Sequence, residues 1–434
     1  MSNVTLLHRQ ALYLRPDPAR VIVRPFRPTV EPKDLKPREK TRANHIVDRV
    51  LALDAAEISS VLLDVLSNFA GRHRNLLRTC EARADEMESA LAEHQAFTPM
   101  QRQLIGAYFL NEYSFEASAL FNPSIVPHPD QSAAPVGGLR FVLSLRAVGE
   151  GHVSSLTFRS GTITRDGSVS VDPTARLAAT PRLTAPVPDF DEGAPVEARF
   201  EGDDISERVL FPVTTAQSNG IEDARFVLFQ DADRRTYYAT YTAYDGRAIR
   251  SELIETDDFL SFRMTPLRGS AAVNKGMALF PRRIDGQFAM IGRQDAENLY
   301  LLRSDDILTW NGGQLLLAPK YPWEFVQVGN CGSPIELDEG WLLFTHGVGP
   351  MRRYAIGAVL LDKADPGRIL GRSREPLVYP THSEREGYVP NVVYSCGAML
   401  HGRRIILPYA VSDTFSNFAT IRVDELLETL TLNA

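Results

Sequence analysis

The sequence predicts a mainly β fold: a five-bladed β-propeller preceded by an α-helical N-terminal segment. Two observations carry this. Apolar residues switch from helical to alternating spacing near residue 120, and the alternating part then repeats itself with a nearly constant period.

Residues 1–40 come first and are rich in proline and arginine. "RPFRPTVEPKDLKPREK" reads as an extended arm. Residues 41–118 read as helical. In "DAAEISSVLLDVLSNFAGRH", Asp54 and Glu57 have capping-box spacing, and Ile58, Val61, Leu62, Val65, Leu66 and Phe69 then recur on one face. "TPMQRQLIGAYFLNEYSF" repeats the signal with Thr98 as cap, Pro99 at the first helical position and Gln101 three residues beyond Thr98. Between them, "NLLRTCEARADEMESALAEH" is helix-prone and charged. The amphipathic faces of this segment leave two roles open: a cap over the propeller, or a contact between copies that builds a homo-oligomer.

Residues 119–434 form the β part. "LRFVLSLRAV", "SSLTFRSG", "TYYATYTAY", "GQFAMIGR" and "RRIILPYAV" are short strands bounded by Gly, Asp or Asn. Equivalent units start near Ala224, Ala278, Ser333 and Val392, at spacings of 54, 55 and 59 residues, and an earlier copy begins at "FNPSIV". Five copies of three or four strands predict five blades. Trp310, Trp323 and Trp341 read as fillers of the blade cores.

Composition narrows the function. A net charge of −7 argues against nucleic acid and anionic membrane as partners. No stretch approaches the ~20 apolar residues of a membrane span. Charges and prolines occupy the N-terminus where a secretory leader has an apolar run, which makes a cytoplasmic protein the expectation. Cys80, Cys331 and Cys396 stand in unrelated contexts, so neither a metal site nor a disulfide framework is expected. Nucleotide-binding loops, zinc-protease helices and serine nucleophile elbows are absent from the sequence.

A propeller gathers the starts of its inner strands around one axial funnel. Asn122, Glu222, Asp223, Arg225, Asn274, Lys275, Asn330 and Asn391 all lie just before an inner strand. Second strands add Arg146, Tyr241, Tyr244, Arg293, His346 and Asp413. Two carboxylates, several amides, aromatic rings and cations suit a sugar, with its many hydroxyls and one scissile acetal. Taken singly, each of these residues is as well explained as a turn, a cap or a solvated face; recurrence at one phase of the repeat is what points to a site. In "GIEDAR", neighbouring strand residues face opposite ways, so only one carboxylate aims at the scissile oxygen. The expectation is that Arg225 pairs with Glu222 and that Asp223 stays protonated as the acid.

These motifs, from "FNPSIV" through "GIEDAR", "NKGMALFPRRIDGQFAMIGR", "SDDILTW", "GSPIELDEGWLLFTHGV", "YAIGAVLLDKADP" and "EREGYVPNVVYSCG" to "AVSDT", resemble glycoside hydrolase family 130, the β-mannoside phosphorylases and related β-mannosidases. The resemblance covers most of the chain after residue 120. It implies an inverting reaction with Asp223 as proton donor, acting through a sugar hydroxyl, and with inorganic phosphate as the attacking co-substrate and no other cofactor. It places Arg293, His346 and Tyr354 at the phosphate, with Lys275 and Arg146 close by. Two positions depart from the pattern: Gln327 stands where phosphorylases commonly carry lysine, and Ser383 replaces a tyrosine before Glu384.

Phosphorolysis needs a cationic cradle. Inverting hydrolysis needs a second carboxylate on the far side, ~6.5–9.5 Å from the first. Arg293, Lys275 and His346 argue for the cradle, whereas Gln327, with Glu384 and Glu386 in the same motif, argues for water, with Glu384 as its base. The reading is a phosphorylase of β-linked manno-oligosaccharides, with an inverting β-mannosidase as the alternative and a non-catalytic glycan-binding propeller as a third.

Overall fold

The computed structural model describes residues 6–26, 41–90, 96–184 and 194–432. The chain divides into two compact units. One comprises Ala19–Ser114 with Arg176–Thr180; the other comprises Met1–Pro18, Phe115–Ala175 and Pro181–Ala434.

The smaller unit holds helices Arg42–Leu51, Ala55–Phe69, Leu76–Ala90 and Pro99–Tyr108, and a hairpin of Ile22–Pro25 with Leu110–Tyr113. The Asp54–Glu57 capping box is formed in both directions, at 2.8 and 2.9 Å, and so is the Thr98–Gln101 box, at 3.3 and 2.9 Å. These contacts satisfy amide groups that a helix start leaves without partners. Val47, Val50, Ile58, Leu62, Leu104, Ile105 and Phe109 form the core. Gly106 lets Leu76–Ala90 and Pro99–Tyr108 touch, since a Cβ there would fall 1.8 Å from the Cys80 carbonyl oxygen. Among the described residues no helix is long and apolar enough to cross a membrane.

Of the first forty residues, expected as an extended arm, Ile22–Pro25 lies in this hairpin and His8–Arg9 pairs with the strand Phe415–Arg422 in the larger unit. The rest of the proline-rich stretch, 27–40, and residues 91–94 of the charged helical segment lie outside the described residues.

The larger unit is mainly β, and its described residues form five antiparallel meanders. They open on Ala119–Pro127, Gly220–Asp231, Ala278–Leu279, Gln327–Asn330 and Val393–Tyr394. The first two share one sheet through a single parallel pair, Gly220 with Ser154. Leu430–Leu432 adds an outer strand to the fourth meander and His8–Arg9 to the fifth.

Apolar clusters among the described residues join neighbouring meanders. Phe158 packs with Phe226, Phe259 and Phe262 between the first and second. Phe229 and Leu253 meet Met290 and Trp310 between the second and third. Phe280 and Trp341 join the third and fourth, and Phe344 and Tyr409 the fourth and fifth. Phe121 and Val148 of the first meet Val392 and Ala410 of the fifth. Trp310 and Trp341 are fully buried and Trp323 nearly so. Truncating such a ring costs about 3–5 kcal/mol.

Candidate active site

A strand that ran straight would send neighbouring side chains to opposite faces. Here the strand Gly220–Asp231 loses register between Glu222 and Arg225, and Ala119–Pro127 does the same between Phe121 and Ser124. The bulged residues adopt left-handed backbone, with φ of 52° at Asp223 and 50° at Asn122. Asn274, Asn391 and Asp413 share this conformation, at 64°, 63° and 49°. Asn and Asp tolerate it better than other residues with a side chain, and a bulge re-aims what it carries.

The result is a cavity of about 240 Å³. Asn122, Arg146, Asp223, Arg225, Lys275 and Arg293 line it, together with His346, Tyr354 and Asp413. Arg352, Tyr394, Gln327, Gly276 and Val392 also line it.

One guanidinium holds both carboxylates of the "ED" pair. Arg146 Nη2 lies 2.7 Å from Glu222 Oε1, and its Nη1 lies 3.3 Å from Asp223 Oδ1. Lys275 Nζ approaches the other Glu222 oxygen at 3.7 Å. Asn122 Nδ2 donates to Asp223 at 2.6 Å. Burial alone would raise the Asp223 pKa, but Arg146, Arg225 and Lys275 overcome it and bring the carboxyl down to about 2.

The expected pairing of Arg225 with Glu222, and a protonated Asp223, are therefore corrected. Arg225 donates instead to the Asp223 carbonyl at 2.9 Å, to Asn330 Oδ1 at 3.1 Å and to the Tyr394 hydroxyl at 2.6 Å. The bulge separates it from the Glu222 side chain and turns it toward the neighbouring strands. Asp413, by contrast with Asp223, is pushed up to about 6 by burial and by the charge of Asp223.

His346 is neutral. Burial, then Arg293 and Arg225, drive its pKa well below the ordinary value. Its Nδ1 donates to the Asn330 carbonyl at 3.2 Å, which leaves Nε2 to accept from Arg293 Nη1 at 3.5 Å. Its ring stacks on Tyr354 at 5.7 Å and lies flat over Gly329, where a Cβ would fall 2.1 Å from a ring carbon.

Other sequence-derived positions fall behind the wall. Asn330 holds Arg225 and His346, as described. The Asn274 carbonyl accepts from Ser251, and its left-handed turn carries Lys275 into the cavity. Asn391 accepts from Arg385 at 2.8 Å and, through its carbonyl, from the Tyr354 amide at 3.1 Å.

Two assignments fail on geometry. Tyr241 is fully buried in the core between the first two meanders, with its hydroxyl on Glu252 and Gln217. The strand's alternation sends Thr240 and Thr242 to the opposite face. Glu384 is spent on a cap: it accepts from the Thr381 amide at 3.1 Å, the Thr381 hydroxyl at 2.9 Å and the Tyr409 hydroxyl at 3.1 Å. It does not line the cavity.

Sequence reasoning missed Arg352 and Tyr394. A signal existed for Arg352. "LRAVGEGHVS" and "THGVGPMRRY" are two copies of one strand and turn, placing Arg146 with His346 and His152 with Arg352.

A family model described as beta-1,4-mannooligosaccharide phosphorylase, that of glycoside hydrolase family 130, matches residues 200–432. The chain belongs to glycoside hydrolase family 130. Within that family, it is 30% identical over 227 residues to a 1,2-beta-oligomannan phosphorylase of Thermoanaerobacter sp. (strain X514), a match spanning 51% of this chain and 75% of the relative. It is also 30% identical over 235 residues to a beta-1,2-mannobiose phosphorylase of Listeria innocua, spanning 52% of this chain and 64% of that protein. The solved Listeria innocua beta-1,2-mannobiose phosphorylase, in complex with beta-1,2-mannobiose, superposes with a TM-score of 0.52 at 22% identity, covering 72% of this chain and 92% of that one. In this family 130 enzyme, Glu222 to Asp413 lie inside the matched segment, whereas Asn122 and Arg146 precede it.

Proposed function

We propose that this enzyme is an inverting β-mannoside phosphorylase of manno-oligosaccharides, working at the axis of a five-bladed β-propeller. The propeller reading rests on the five apolar clusters, which link the meanders in cyclic order and return from the fifth to the first. One observation carries the chemistry. Among the described residues, Arg146, Arg225, Lys275, Arg293 and Arg352 line the cavity against the carboxylates of Asp223 and Asp413 in its wall and of Glu222 beside it, which pairs with Arg146 and Lys275. Two buried polar atoms there, Arg293 Nε and Asn122 Oδ1, have no partner. Such atoms are costly unless a ligand meets them. A phosphate fits the cation excess and a sugar hydroxyl fits Asn122.

The roles follow from charge. Arg293, with neutral His346 at its back, and Lys275 hold the phosphate, each contact worth about 1.5–3 kcal/mol. A phosphate oxygen attacks the anomeric carbon as the bond to the leaving sugar breaks on the opposite face. Asp223 is ionised in the free site, so it does not protonate the leaving oxygen unaided. Phosphate offsets the guanidinium field and lets Asp223 take a proton. A mannosyl hydroxyl then passes its proton to the leaving oxygen and is reprotonated by Asp223. The products are mannose 1-phosphate of inverted anomeric configuration and the shortened sugar.

Consumption of β-1,2- and β-1,4-mannobiose at rising phosphate concentration tests this. Saturable dependence on phosphate supports phosphorolysis, and a rate indifferent to phosphate contradicts it. Hydrolysis is the second reading, favoured by Asp413, the other carboxylate in the cavity wall among the described residues. Under hydrolysis Asp413 is the base, and Asp413→Asn abolishes turnover at every phosphate concentration.

A further inference from the structure

A second cavity of about 780 Å³ lies among residues 321–323, 350–353 and 374–379 of the larger unit. Trp323 is its fixed floor. The indole Nε1 donates to the Arg374 carbonyl at 3.0 Å, and the ring lies against Gly347 and Gly357, where a Cβ would fall 2.5 and 2.6 Å from ring atoms. Tyr321 is held by the Arg372 guanidinium, 5.4 Å from its centroid. Tyr379 forms an open wall, 50% exposed, anchored by its carbonyl to Arg9 at 3.3 Å. Arg353 and Arg374 are exposed and form no ion pair among the described residues.

Two chain segments contribute to both this groove and the catalytic cavity. The turn after Trp341–Val348 sends Arg352 and Tyr354 into the cavity but Pro350 and Arg353 into the groove. The segment that gives Tyr321 and Trp323 to the groove gives Gln327 to the cavity. Met351, 92% exposed, lies in the chain between Pro350 of the groove and Arg352 of the cavity. Rigid aromatic planes suit the apolar faces of pyranose rings, and unpaired guanidiniums donate in one plane to neighbouring hydroxyls.

We propose that the groove binds the sugar residues of a manno-oligosaccharide beyond the disaccharide cleaved at Asp223, so that the enzyme favours longer chains. This rests on the function proposed above. The bound chain crosses Met351, and Tyr379 and Arg374 hold its distal residues.

The test compares mannobiose with mannotetraose, in the linkage the enzyme cleaves, for the wild type, Tyr379→Ala and Arg374→Ala. Loss of one hydrogen bond or stacking contact corresponds to about fivefold in KM. The wild type is expected to show a lower KM for the tetrasaccharide than for the disaccharide. Each variant is expected to raise the tetrasaccharide KM about fivefold and leave disaccharide kinetics unchanged. Equal use of both lengths by the wild type, or equal effects of the variants on both, overturns the inference while leaving phosphorolysis intact. If no β-mannoside is turned over, the function itself fails. Calorimetric binding of mannotetraose in both linkages to Asp223→Asn, with and without Tyr379→Ala, then decides the groove. Tetraose binding lost on Tyr379→Ala supports it; unchanged or absent binding overturns it.

Discussion

Asn122 Nδ2 donates to Asp223 Oδ1 at 2.6 Å, joining two residues 101 positions apart that share a left-handed backbone. The first strands of two successive meanders thus break register in the same way and point their bulged side chains at each other. A carboxylate held by an amide and a guanidinium cannot rotate away from the cavity.

Asn122→Gly tests this hold without straining the backbone, because glycine accepts φ near 50°. Losing a hydrogen bond to a charged group costs about 1.5–3 kcal/mol. The expected outcome is a fall in kcat of about tenfold or more, with the melting temperature lowered by no more than about a few degrees. Unchanged kcat would show that Asp223 is oriented by Arg146 alone.

Arg225→Lys removes a planar donor that meets three acceptors at once. An ammonium on a flexible stem cannot reproduce that geometry. It leaves the buried Tyr394 hydroxyl and Asn330 underbonded. The expected result is a lower melting temperature together with a reduced kcat/KM for mannoside; loss of either alone would separate a structural from a functional role.

Arg293 and His346 are expected to differ. Arg293→Ala removes a charge with an unpaired buried nitrogen and should raise KM for phosphate about tenfold or more, leaving KM for mannoside within a factor of about two. His346 is neutral and acts behind Arg293, so His346→Gln should raise the phosphate KM less. Steady-state kinetics with each substrate varied in turn checks both. A larger effect from His346→Gln would mean that the imidazole touches phosphate itself.

The sequence reports this site unevenly, and the reasons are local. Alternating apolar residues and the repeated Asn/Asp-rich strand starts reveal the β architecture and the phase at which polar residues gather, because period-two patterning reflects burial directly. Asn122, Asp223 and Asp413 were visible for the same reason: few other side chains suit a left-handed bulge. The bulge also defeats alternation. It hides that Arg225 turns from Glu222 toward Tyr394 and Asn330. Tyr241 follows the ordinary alternation of its own strand, and only packing between the first two meanders shows that its face is the core side. Glu384 looked catalytic in its motif, but a Thr381 three residues earlier gives it a cap to make instead. The Asp223 pKa depended on Arg146, 77 residues away, whose approach no local pattern records.

Asp413 sets a pH dependence of known sign. Its folded pKa of about 6 exceeds the ordinary 3.8, so the folded protein holds this proton more tightly than the unfolded chain. Its stabilising contribution is full below about 3.8 and is lost as pH rises to about 6. Asp223 has the opposite sign, losing its contribution only as pH falls toward about 2. Asp413→Asn should therefore match the wild type in denaturant melts near pH 3.5 and exceed it at pH 7 by about 1–2 kcal/mol, allowing for partial solvent screening. A constant difference across that range would mean that Asp413 is not perturbed.

In the proposed reaction the cationic cavity delivers phosphate to the anomeric carbon. Phosphorus-31 NMR of the enzyme with β-mannobiose and inorganic phosphate measures this directly. Phosphorolysis gives a growing signal of α-mannose 1-phosphate, matched one for one by released mannose, and no sugar release when phosphate is left out. Free mannose alone, forming at the same rate without phosphate, would contradict it.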